Sequence, residues 1–116
     1  MRTGWTKQMV IDWHKQALPD CTVNDQRIKV HKEAQEFYFA KLHGDKKGML
    51  EEIADYYIAS LVLDRRYHDY SAKFVCERIE HLKSFDRIKQ AVDAKMDINA
   101  TRVFKKINGE WRHIEE

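Results

Sequence analysis

The chain has 116 residues and a mass of 13.9 kDa, with 43% hydrophobic and 34% charged residues, one proline and four glycines. That composition excludes a disordered chain, fits one domain over residues 1–116 and leans towards helix. With 21 basic and 19 acidic residues the net charge is +2, and no basic run exceeds two residues, so neither nucleic acid nor a membrane is an expected partner.

In chain order, Trp5, Met9, Trp13 and Ala17 recur every four residues beside Val10, which predicts an amphipathic helix over about 6–17. Leu18-Pro19 ends it, because the residue before proline is pushed out of the α region. Asn24 or Asp25 is the expected N-cap of a second helix running to about His43, with Gly44 as its C-terminal stop. The short loop Asp45–Gly48 then predicts an antiparallel return over about 49–67. This third helix carries one stripe of Leu50, Ile53, Ala54, Tyr57, Ile58 and Leu61, and a second of Tyr56, Ala59, Val62 and Leu63. A helix apolar nearly all round is the centre of a bundle. Ser71 is the expected cap of a fourth helix through Phe74, Val75, Ile79 and Leu82; Ser84 restarts or kinks it, and the pattern resumes from Phe85 to about Val103. Asn108-Gly109 between alternating residues predicts a hairpin turn. The expected fold is an all-α antiparallel bundle of four to five helices with a short C-terminal β-hairpin.

Cys21 and Cys76 stand far apart with no C-x-x-C spacing, which suits unpaired thiols in a reducing compartment. The N-terminus Met-Arg-Thr-Gly-Trp has no apolar stretch, and no apolar run approaches the roughly 18 residues of a membrane span. The cytoplasm is the expected location.

Two acidic pairs stand out. Glu33 and Glu36 are three residues apart on the second helix, as are Glu52 and Asp55 on the third, and side chains at that spacing are neighbours. On antiparallel helices the two pairs can face each other. They also continue apolar stripes rather than opposing them: Glu33 follows Val30 and Phe37, and Glu52 and Asp55 follow Ala59, Val62 and Leu63. Carboxylates drawn under the surface need partners and raise one another's pKa. A hard cation meets both needs, and all-oxygen ligation favours Mg²⁺, Mn²⁺ or Ca²⁺ over zinc. The ordinary alternative is a solvated acidic face. Glu51, about 100° away around the helix, falls on the rim. Lys95, Asn99 and Arg102 follow at i, i+4 and i+7, one face with two cations and an amide that suits phosphate oxygens, or else a solvated helix end.

The order E-x-x-E, a gap of 15 residues, E-x-x-D, then K-x-x-x-N-x-x-R is carried by Glu33-Ala-Gln-Glu36, Glu52-Ile-Ala-Asp55 and Lys95-Met-Asp-Ile-Asn99-Ala-Thr-Arg102. It resembles the all-α nucleoside triphosphate pyrophosphohydrolase superfamily, which includes MazG and the dimeric dUTPases, and its compact single-domain MazG-like members in particular. The resemblance covers about Trp13 to His113. It implies a helical bundle assembled as a homodimer or homotetramer that cleaves (d)NTP to (d)NMP and pyrophosphate with Mg²⁺, or Mn²⁺ in its place. Glu33, Glu36, Glu52 and Asp55 would be the metal ligands, Glu33 or Glu36 would orient or deprotonate the attacking water, and Lys95, Asn99 and Arg102 would contact the nucleotide.

Trp13, Tyr38, Tyr56 and Trp111 are candidates to stack on a base, although aromatics at helical spacing more often build core. The six histidines show no H-x-x-x-H pair, which argues against zinc chemistry. The competing expectation is a non-catalytic bundle, a protein-interaction module or nucleotide sensor, in which Lys95 and Arg102 neutralise the carboxylates through interhelical salt bridges.

Overall fold

The computed structural model describes residues 4–114, so part of the N-terminal stretch weighed above as a leader lies outside it. Five helices and a hairpin follow in order: α1 Lys7–Ala17, α2 Val23–Leu42, α3 Lys46–Tyr67, α4 Tyr70–Glu80, α5 Phe85–Asn99, β1 Val103–Ile107 and β2 Glu110–Ile114. The all-α bundle with a C-terminal hairpin is therefore the fold observed. Helix α3 is its axis and packs against α1, α2, α4 and α5. Ala54, Tyr57, Ile58, Leu61 and Val62 of α3 join Val10 and Ile11 of α1, Cys76 and Ile79 of α4, and Ile88, Val92 and Met96 of α5 in one core.

Local capping chemistry sets the helix bounds and shifts several expected ones. Helix α2 starts earlier than Asn24: Thr22 caps it by accepting from the Asp25 amide, while Asp25 accepts from the Thr22 amide in return. Gly44 at φ 66° closes its far end, with the Asp45 amide reaching the Ala40 carbonyl and the Gly44 amide reaching Lys41. These are the paired bonds of a left-handed C-terminal cap, which glycine adopts without strain. Helix α3 takes in Lys46–Gly48, expected to be loop, because Asp45 Oδ1 accepts from the Gly48 amide at 2.9 Å. Asp69, not Ser71, caps α4 by accepting from the Ser71 and Ala72 amides. The fourth and fifth segments are separate helices, broken over 81–84, and α5 stops at Asn99 rather than near Val103.

In the hairpin, Asn108 and Gly109 both take positive φ (51° and 81°), as a two-residue turn matching the twist of the strands requires. Phe104 pairs with His113 and Lys106 with Trp111, so these four side chains share one face. That face turns to the helices: Phe104 packs edge-on against Trp13 at 5.8 Å, and Lys106 binds Asp25 on α2 at 3.0 Å. A lone two-stranded ribbon is marginal in water, and this face anchors it.

The end of α1 is held by a side chain from α3. Arg66 donates to the Leu18 and Pro19 carbonyls at 2.9 and 3.0 Å and meets His14 Nδ1 at 2.7 Å. His14 is buried, and burial, then the Arg66 charge, lower its pKa to about 4. The unfolded chain therefore binds this proton more readily than the folded one. The stability His14 confers is present above its ordinary value of 6.5 and is lost as pH falls towards 4. Its imidazole resonance is expected to stay in the neutral position on acidification from pH 8 to about 5.5. A shift centred near its ordinary value would contradict this account.

Candidate functional site

The register of α2 on α3 decides what the acidic pairs can do. Gln26 Nε2 donates to the Ala59 carbonyl at 2.9 Å, and Glu33 and Glu36 lie opposite Glu52, so the helices run antiparallel. Glu33, Glu36 and Glu52 each place one carboxylate oxygen within 4.8 Å of the others'. Glu33 is 4% exposed, Glu52 half-buried and Glu36 exposed, which makes a cluster closed at its floor and open at one side. Asp55 stands outside that tight triad. Its Oδ2 meets Lys95 Nζ of α5 at 3.4 Å, although its charge still acts on Glu33 and Glu52.

Four carboxylates here meet two ammonium ions. Lys29, one turn before Glu33 on α2, binds Glu33 Oε1 at 2.8 Å, and Lys95 binds Asp55. That leaves Glu33 Oε2 and Glu52 Oε2 buried with no hydrogen-bond partner. The electrostatics register the deficit. Burial raises the Glu33 carboxyl pKa against the opposing pull of Lys29. Burial likewise raises Asp55 against Lys95. Glu52 is pushed up to about 7, by desolvation first and then by its hydrogen bond and repulsion with Glu36. Buried carboxylate oxygens without donors are costly, and an all-oxygen set of this kind suits a hard divalent cation. The donor set therefore fits Mg²⁺ or Mn²⁺ at Glu33, Glu36 and Glu52, with Asp55 reachable if Lys95 moves off it.

The basic residues are only partly assembled. Lys95 and Asn99 are on α5, where Asn99 Nδ2 contacts Met96 Sδ of the preceding turn at 3.7 Å. Arg102 lies past the end of α5, exposed, with its amide bonded to the Asn99 carbonyl, so it does not share the helical face expected from i, i+4 and i+7 spacing. The salt bridge expected in a non-catalytic bundle forms for Lys95. None is seen for Arg102 among the described residues. Glu51 is exposed on the rim. Lys29 was not singled out from the sequence, although its i, i+4 relation to Glu33 marks it.

Trp13 packs against Phe104 and His14, Tyr56 is half-buried and Tyr38 is 59% exposed. A cleft of about 260 Å³ lies elsewhere, between Trp5, Val10, Tyr57, Leu61, Phe85 and Val92. Around the α3 axis Tyr57 and Leu61 point well away from Glu52. Lys7 and Tyr57 in its lining both bind Glu80 Oε2, at 2.8 and 2.6 Å. No helix among the described residues is long and apolar enough to cross a membrane. Family models, curated proteins and solved structures provide no match to this chain.

Proposed function

We propose that the chain is a Mg²⁺-dependent nucleoside triphosphate pyrophosphohydrolase that cleaves (d)NTP to (d)NMP and pyrophosphate. One observation carries this reading: Glu33 Oε2 and Glu52 Oε2 are buried without any partner inside a cluster whose own lysines neutralise only half its carboxylates. Held by Glu33, Glu36 and Glu52, Mg²⁺ or Mn²⁺ would supply charge neutralisation of the triphosphate and a bound water of lowered pKa. Glu36, the most exposed of the three, is placed to accept the proton of a water attacking the α-phosphorus. Glu33, buried and tied to Lys29, acts as a fixed ligand. Lys95 can exchange Asp55 for a phosphate oxygen, with Asn99 and Arg102 following it on the same end of the domain, and so offset charge on the departing pyrophosphate.

Self-association into a homodimer or homotetramer belongs to the same reading. It is supported by the outward side of α2, where Ile28, Tyr38, Phe39 and Leu42 are 56–63% exposed, an unusual load of large apolar groups for a helix facing water.

The Lys29–Glu33 and Lys95–Asp55 pairs favour a second reading, in which the lysines stand permanently in place of a metal and the bundle is an interaction module or nucleotide sensor. Pyrophosphate release from a panel of dNTPs and NTPs, alongside thermal unfolding with and without Mg²⁺, separates the two. The enzyme reading predicts release and a rise in Tm with Mg²⁺ by mass action. Stabilisation without release leaves a sensor. If Tm does not respond to Mg²⁺ or Mn²⁺ and no pyrophosphate appears, the hydrolase is excluded.

A further inference from the structure

A triphosphate asks for more positive charge than α5 brings to the cluster. Lys95 reaches it through Asp55, whereas Arg102 stands exposed past the helix end. The opposite wall carries a second ammonium. Lys29, Glu33 and Glu36 fall at i, i+4 and i+7 on one stripe of α2, and Lys29 Nζ sits 2.8 Å from Glu33 Oε1. The Lys29 side chain is 58% exposed and that of Glu33 only 6%, so the ammonium meets Glu33 from the solvent side. Burial raises the Asp55 carboxyl, and Lys29 joins Lys95 in opposing that rise. The charge of Lys29 therefore reaches across from α2 to α3. Lysine four residues before glutamate is the weaker order of such a helical pair, which makes helix stabilisation a poor account of its place here. An ammonium has three N–H donors, and among the described residues Lys29 meets only Glu33.

We propose that Lys29 is a phosphate-binding residue, whose ammonium keeps Glu33 Oε1 and donates a further hydrogen bond to an oxygen of a metal-bound triphosphate. The inference rests on the triphosphate reading of the acidic cluster. Glu33 is 4% exposed and its Oε2 has no partner, while Oε1 is already taken by Lys29. With a divalent cation on Oε2, Glu33 would share its two oxygens between the metal and the ammonium. A phosphate oxygen drawn to the one then comes within reach of the other. The Glu33 charge is taken up by the cation, so Lys29 changes from half of a neutralised pair to a net positive group facing a polyanion. A point charge with several donors on a flexible stem suits that exchange. Lys95 approaches from α5, which puts one ammonium on each side of the carboxylates.

Lys29→Met keeps a helix-forming stem and removes the charge. Its expected effect is about tenfold weaker binding of inorganic triphosphate at saturating Mn²⁺. Mn²⁺ alone should bind as tightly as to wild type, or up to about threefold tighter, because a competing cation is gone. Lys29→Gln, which keeps an N–H donor for Glu33, should show the same loss of triphosphate affinity, and Lys29→Arg should recover most of it. Titration calorimetry with each ligand reads both affinities without turnover. A lysine that only positions Glu33 would weaken metal and triphosphate together. Triphosphate binding that is unchanged or tighter in the neutral variants, or that weakens in step with Mn²⁺, overturns the role of Lys29 and leaves the hydrolase reading intact. A wild-type protein that binds no triphosphate in the presence of Mn²⁺ overturns both.

Discussion

Glu52→Gln should abolish pyrophosphate release, lowering turnover by about a hundredfold or more, while the metal-free protein unfolds at the same temperature as wild type or a higher one. The two halves of this expectation share one cause. Glu52 is half-buried beside Glu33, Glu36 and Asp55, with one carboxyl oxygen unpartnered, and its pKa is pushed up to about 7. The folded state thus holds a proton on Glu52 that the unfolded chain releases near 4.5. The stability contributed by this group is complete below pH 4.5 and is lost as pH rises through 7. An amide removes that loss, so above neutrality the variant should gain stability over wild type. It should also respond less to Mg²⁺, which now finds one anionic oxygen ligand fewer. Urea melts at pH 5 and pH 8 with and without Mg²⁺, together with a pyrophosphate assay, measure each part. Because protonation of His14 works in the opposite direction below pH 6.5, the comparison is between variant and wild type at each pH. Undiminished turnover in Glu52→Gln would remove the carboxylate cluster from the reaction.

Arg66→Ala is expected to cost about 2–3 kcal/mol in urea unfolding. The guanidinium bridges α3 to the end of α1, donating to the carbonyls of His14, Leu18 and Pro19 and meeting His14 Nδ1. The His14 and Leu18 carbonyls also accept from the Leu18 and Cys21 amides, so the guanidinium adds a second bond to each of them and supplies one to the Pro19 carbonyl past the end of α1. Arg66→Lys should recover only part of the loss, since one ammonium cannot span the acceptors that the planar fork reaches together. Amide exchange protection should drop first in the last turn of α1. A cost below about 0.5 kcal/mol, the ordinary scatter of a surface substitution, would show that solvent satisfies these groups equally well.

The helices and the hairpin were legible in the sequence because their causes are local. The two stripes of α3 foretold a helix buried on almost every side, and Ala54, Tyr57, Ile58, Leu61 and Val62 are all in the core. Asn108-Gly109 specified its turn through backbone conformations that few other residue pairs take easily. Where the expected helix starts slipped, a capping side chain was the reason: Thr22 with Asp25, Asp45 with Gly48, and Asp69 with Ser71 each moved a start by a few residues.

The sequence by itself thus determined the elements and, through i, i+3 spacing, which carboxylates share a helix face. Only the tertiary structure decided which oxygens converge, because the offset of α2 along α3 is set by how the two helices pack, with Gln26 bonding across to Ala59. That offset joins Glu52 to Glu33 and Glu36, while α5 arrives close enough for Lys95 to draw Asp55 aside. The reach of Arg66 to α1 is likewise a consequence of where chain segments distant in sequence come to rest.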